Sequence, residues 1–355
     1  MIELPSIHAP WRDTGTAMKP QTLLVAKMTF VMLCIERIDH YFHDPFLPFI
    51  PALDLLARIP GYGWLLTSVF LIAGFLLMTN RHVRAASVVL GLEVLLINVQ
   101  AQVDFRNHMV VCGAALLLAG LQPAGQEPWL IRWQMVVVYL GAWLNKQLDP
   151  DWLNGRFFEY WTHANLQHPI YMKMSAWFPN GWLSVFMSWS TIASEFLVMV
   201  GLMNPRWWSK ALWLGIGFHL ATFIFMFGDT FGHFIQSLGV VYLVFLTWPE
   251  SKAQVTASGR FARALNALDG NDTCAWNPAP GARAIKWERD GATLRGIPAL
   301  AEILRYHNGF YWGLLLAFEA CFHFIPWPAR FPVTLVLLGT AMFPFAWSAL
   351  RGNRQ

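Results

Sequence analysis

The residues that could do chemistry in this chain are ionisable groups set where apolar sequence tolerates them least. Lys146 ends an 18-residue, mostly apolar run that begins at Trp129. At about 1.5 Å per residue such a run crosses a hydrocarbon core of roughly 30 Å, so Lys146 should lie near one face of a bilayer. An ammonium there either snorkels to the interface or, partly desolvated, gives up its proton easily enough to serve as a base; position alone leaves both open. His108, preceded by Asn107, opens another apolar run. Glu195 and His219 fall inside two more, and Glu36, Arg37, Asp39 and His40 crowd the end of the first. Ionisable groups inside such segments are functional-site hypotheses by default. The structural alternative pairs Glu36 or Asp39 with Arg37 or Lys146 and ties His219 to a neighbouring helix. A metal site could draw on His40, His43, His108, His219, His233 and Glu195. The spacing argues against it, because HYFH is a loose pair and neither HExxH nor HxxHH occurs.

The elements that must position these groups follow from composition. Of 355 residues, 56% are hydrophobic and only 13% charged, about half the charge of a soluble domain, which points to an integral membrane protein. Apolar stretches of span length recur without the period-two alternation of an outer-membrane barrel, so an all-α polytopic bundle of about ten transmembrane helices is expected. The expected spans are 22–42, 62–79, 85–103, 108–121, 129–146, 182–203, 207–227, 233–248, 309–325 and 331–350, with an interfacial helix at 153–161 after the fifth. This gives a tail at 1–21, a membrane core at 22–248, a polar segment at 249–308 and a C-terminal hairpin and tail at 309–355. The tail has no basic region leading into an apolar core, so no cleavable signal peptide is expected. Basic residues such as Lys19, Arg81, Arg84, Arg206 and Lys210 mark the cytoplasmic loops. Both termini then lie inside, and His108, Lys146 and the aromatic stretch after it face outward. Cys34, Cys112 and Cys321 sit in apolar runs and Cys274 in a polar one, a pattern of packing residues rather than a disulfide framework. The net charge of +4 is spread over loops and does not point to nucleic acid.

Read in order, CIERIDHYF, LPFIPALDLLARIP, FRNHMVVCGAALL, LNKQLDPDWLNGRFFEYW and GFHLATFIFMFG resemble the membrane core of the vitamin K-dependent gamma-glutamyl carboxylase family, within the wider HTTM group of bacterial membrane proteins. The likeness covers most of 24–249, and its most specific piece is the lysine followed by Leu-Asp-x-Asp-Trp-x-x-Gly and an aromatic helix. The resemblance implies that Lys146 is the base that deprotonates a reduced quinone of the vitamin K or menaquinone type. It makes His108 the group that steadies developing negative charge. His219, Glu195, Asn107, Trp152 and Phe218 would shape the substrate and quinone site, and Glu36, Arg37 and Asp39 would form a structural ion pair. Reduced quinone, O2 and CO2 are the implied cofactors, with an inner-membrane bilayer and a membrane or peptide partner around them. The family's peptide-modifying members carry a large outward region, whereas the corresponding loop here has about 20 residues. ATLRGIPALAEILRYHNGFYW with FAWSALRGNRQ is also similar to the end of the DCC thiol-oxidoreductase family, but that family's Cys-x-x-Cys is missing. The alternative to an enzyme is a non-catalytic membrane subunit that holds a lipid or quinone, or docks a partner complex.

Overall fold

The computed structural model describes residues 18–36, 38, 42, 47–178, 181–225, 232–249, 251–270, 272–281, 284–325, 332–337, 339–341 and 343–344. Arg37, Asp39, His40, His43, most of the tail 1–21 and the end of the expected 331–350 span lie outside them.

Helix α1, Pro20–Ile35, opens with proline, whose missing N–H costs nothing at that position. A short 3-10 turn, Pro51–Leu53, leads into α2, Asp54–Ala57, and then α3, Tyr62–Met78, with a bend of 91° between α2 and α3. Helices α4, Val83–Gln100, and α5, Asn107–Leu121, pack most intimately. Their backbones meet at glycine: a Cβ on Gly91 would stand 2.3 Å from Leu117 N, and one on Gly120 would stand 2.4 Å from Arg84 O. Helix α6, Trp129–Leu148, carries Lys146 in its last turn. Three short pieces follow, α7 Pro150–Leu153, α8 Arg156–Phe158 and the π-helix Glu159–Asn165, then α9 Pro169–Ser175. The last long helices of the membrane part are α10, Trp182–Leu202, α11, Trp208–Phe225, and α12, Gly232–Tyr242.

Among the described residues two helices, not ten, are long and apolar enough to cross a membrane: α4 and α10, with α2 and α3 making a third if the bent pair counts as one span. The expectation of about ten spans therefore fails, for reasons visible in each helix. The expected spans at α1 and α5 are only 16 and 15 residues long, short of the roughly 20 a straight crossing needs. Helix α6 is long enough, but Arg132, Gln134, Asn145, Lys146 and Gln147 make it too polar. Helix α11 is weighed down by Lys210 and His219, and α12 has only 11 residues.

The all-α expectation fails as well. The segment read only as polar holds a four-stranded mixed sheet, in a chain that is otherwise mostly helical. Strands β1, Ala253–Ala257, and β2, Cys274–Pro278, run parallel across the crossover helix α13, Gly259–Leu268. Strands β3, Lys286–Arg289, and β4, Ala292–Arg295, form an antiparallel hairpin, and β3 also pairs antiparallel with β1, so the order is β2-β1-β3-β4. Asp290 and Gly291, both at positive φ, make the two-residue turn that suits strand twist. Helix α14, Ile297–Tyr306, packs against β3 and β4, and α15, Asn308–Phe324, follows it. Val255, Cys274, Trp287, Ala299 and Ile303 give this unit its own core.

Candidate functional site

The last turn of α6 builds the site around Lys146. Its Nζ donates to Glu195 Oε1 of α10 at 2.8 Å, and the two side chains are only 14% and 7% exposed. The Trp152 ring of α7 lies beneath the ammonium at 4.7 Å, a cation–π contact. Trp152 is held in turn by stacking on Phe157 of α8 at 3.9 Å. Local sequence accounts for this placement. Asp149 accepts the Asp151 N–H at 2.9 Å and caps α7, whose first residue is Pro150. At Gly155 the chain turns back with φ of +82°, and a Cβ there would meet Val185 N at 2.6 Å, so only glycine lets this loop lie against α10.

Seven residues before Lys146 on the same face of α6 is Tyr139, which sequence reasoning missed. Its hydroxyl lies 2.7 Å from His219 Nε2 of α11 and is hydrogen-bonded to the Tyr242 hydroxyl of α12. Gly215 makes room for this pair, since a Cβ on it would stand 2.5 Å from Tyr242 Oη. Lys146 is close enough to His219, and Glu195 to Tyr139, for their charges to interact. Phe218 packs its ring 4.9 Å from that of His219. The signal that could have exposed Tyr139 is helical facing: a phenol two turns from a buried lysine shares its surroundings.

His219 and Tyr242 line a cavity of about 280 Å³ walled chiefly by α11, α12 and α15. Its wall is chiefly apolar, including Leu212, Ile216, Phe223 and Leu315, with Gln236 and Arg305 among its few polar groups. Lys146, Glu195 and His108 are not on that wall. His108 belongs to a second group, where its Nε2 lies 2.8 Å from Glu36 Oε2 of α1. Asn107 is exposed at the start of α5. Arg37 and Asp39, expected to pair with Glu36, lie outside the described residues, as does the side chain of His233. Among the described residues no group of three or more His, Cys, Asp or Glu could hold a metal ion.

On the same side as Lys146, the π-helix carries a polar knot. Glu159 accepts from Tyr171 Oη at 2.7 Å and from His163 Nδ1 at 2.6 Å. Burial works against the Glu159 charge, but these two bonds prevail and hold its carboxyl below the ordinary range. Burial, then the Glu159 bond, pushes the Tyr171 phenol up to about 12. His168 accepts the Tyr171 N–H at Nδ1, which leaves Nε2–H to donate to Ile224 O at 2.9 Å; burial holds this ring below its usual pKa. No protein-family model, no curated protein and no solved structure matches this chain.

Proposed function

We propose that the chain is a membrane-embedded enzyme of the vitamin K-dependent carboxylase type, taking a reduced isoprenoid quinone into the cavity beside His219 and Tyr242 and using Lys146 as the base. The observation that carries this reading is the Tyr139 hydroxyl. It bonds to both cavity-wall groups and stands on the helix face that bears Lys146. The cavity suits the ring of such a molecule, because a flat lipophilic ring with a hydroxyl wants apolar walls and a few convergent polar groups. When bound, the quinol supplies reducing power: with O2 it gives an epoxide and water, a reaction strong enough to drive removal of a carbon-bound proton and addition of CO2. Tyr242 and His219 hold and orient the ring hydroxyl. Lys146, held 2.8 Å from Glu195 and two turns from Tyr139 on the same face of α6, is the base. The surrounding apolar side chains exclude water and keep the transfer efficient. His108, steadied by Glu36, takes the charge-stabilising role that the resemblance assigns it. The membrane core would place the Lys146 end of α6 outward.

A second reading, a non-catalytic subunit that holds a lipid or quinone, is favoured by one observation: Lys146 and His108 are each tied to a carboxylate and stand off the cavity wall. One experiment separates the two. Purified protein is incubated with reduced quinones and O2, and epoxide is sought by mass spectrometry. The enzyme reading expects epoxide from the native chain and none from Lys146→Ala. It also expects none from Lys146→Arg, which keeps a cation beside Glu195 but cannot lose its proton near neutral pH. Quinone retention without epoxide, in native and variant protein alike, would establish the second reading.

A further inference from the structure

We infer that Glu93 is a proton-holding carboxyl inside the membrane part of the chain, a site distinct from the Lys146 group and independent of the quinol reading. It stands in α4, a helix long and apolar enough to cross a bilayer, and is only 4% exposed. Both of its oxygens are buried, and neither has a hydrogen-bond partner among the described residues. At 100° per residue Glu93 shares its face of α4 with Ala86, Leu90, Ile97 and Gln100, all buried.

The elements packed against α4 are α3, α5, α1 and the turn Gln102–Asp104. Their titratable residues are Tyr62 on α3, His108 and Cys112 on α5, Lys27 and Cys34 on α1, and Asp104 in the turn. No ion pair joins Glu93 to any of them among the described residues. A carboxylate with no hydrogen-bond donor and no ion-pair partner is strongly disfavoured in such surroundings. The acid form costs far less, so the fold keeps a proton on Glu93. Tyr62 and Gln100 are the polar groups that share this side of α4 with Glu93. The Tyr62 hydroxyl donates to Gln100 Oε1 at 2.9 Å, and Gln100 lies two turns from Glu93 on the same face, about 10 Å along the helix.

The full chain in liposomes tests this by infrared difference spectroscopy, native protein against Glu93→Gln. A carboxylic C=O band should be present in the native spectrum, lost in E93Q, and shifted when the medium is D2O. Dicyclohexylcarbodiimide, a lipophilic reagent for carboxylic acids, should modify Glu93 in the native protein, read from the mass of the peptide that contains it. The second measurement needs no variant and stands even if E93Q fails to fold. Absence of the band together with absence of modification, or protection of Glu93 by sodium ions, would overturn the proposal; protection would point to a bound metal cation in place of the proton.

Discussion

At the scale of single residues the buried pair of Lys146 and Glu195 decides most. Two charges withdrawn from water gain from each other only what their geometry returns, so a buried pair contributes little net stability while the loss of one partner is expensive. Lys146→Met leaves the Glu195 carboxyl, 7% exposed, facing apolar neighbours. Such single losses typically cost about 3–5 kcal/mol. Lys146 itself is 14% exposed and leans on Trp152, so Glu195→Leu leaves its cation a path to the interface and should cost less. The double variant Lys146→Met with Glu195→Leu is expected to be more stable than the sum of the two single losses, measured by denaturant unfolding in detergent micelles. Additive losses would mean that the pair is not coupled. Lys146 was legible in the sequence because a charge at the end of an apolar run is conspicuous. Tyr139 and Tyr242 were not, since a phenol in an apolar run reads as packing until the helices that bring three of its neighbours together are known.

At the scale of elements, close contact and loop chemistry carry the argument. Gly91→Ala would force a methyl group to within 2.3 Å of the Leu117 backbone nitrogen, and backbone in two packed helices cannot yield as a side chain end can. The substitution should lower stability by roughly 1–3 kcal/mol, the range of overpacked contacts, and a thermal melt in detergent reads it. The sheet unit is fastened to α15 through His307, whose Nε2 lies 2.9 Å from Leu265 O and whose ring stacks edge-on to Trp276. Burial lowers the His307 pKa, against the opposing pull of the Leu265 carbonyl and Asp269. The unfolded chain takes up a proton near the ordinary value of 6.5 and the folded chain only at lower pH, so stability is complete above that value and is lost as pH falls below it. Trp276 fluorescence during thermal unfolding should show a midpoint that drops on acidification from about pH 7.5 to about pH 5, and His307→Gln should flatten that dependence. This sheet could have been read from the sequence, because KWERDGATLR is two short strands around an Asp-Gly turn. A high density of Pro, Gly and charge in the same stretch hid it, and strands of four or five residues carry too little alternation to stand out beside long apolar helices.

At the scale of the molecule, the apolar composition was legible and the number of crossings was not. Hydropathy counts apolar residues without knowing where a helix starts and stops, and α1, α5 and α15 end before a bilayer would. The exterior still carries Trp64, Ile72, Val137, Phe186 and Leu197 exposed, a surface that water would not leave bare. Helix α6 supplies the ruler for orientation. Near its start, Arg132 Nε donates to Val244 O at 2.9 Å, just before the sheet unit, and at its end Lys146 meets the block that contains α7, α8 and α9. The fourteen helical steps from residue 132 to residue 146 span about 21 Å, most of a hydrocarbon core. Helix α6 is too polar to cross alone, but it packs along α10, which is long and apolar enough to span, so the sheet unit and the α7–α9 block should face opposite sides of a membrane. Ala176→Cys and Ala292→Cys place thiols at exposed positions just after α9 and in β4, in a Cys34→Ser background that removes the exposed native cysteine. In sealed vesicles, a membrane-impermeant maleimide should label one of these thiols at once and the other only after permeabilisation. Immediate labelling of both would put the two units on one side, and α6 would then run along the membrane rather than through it.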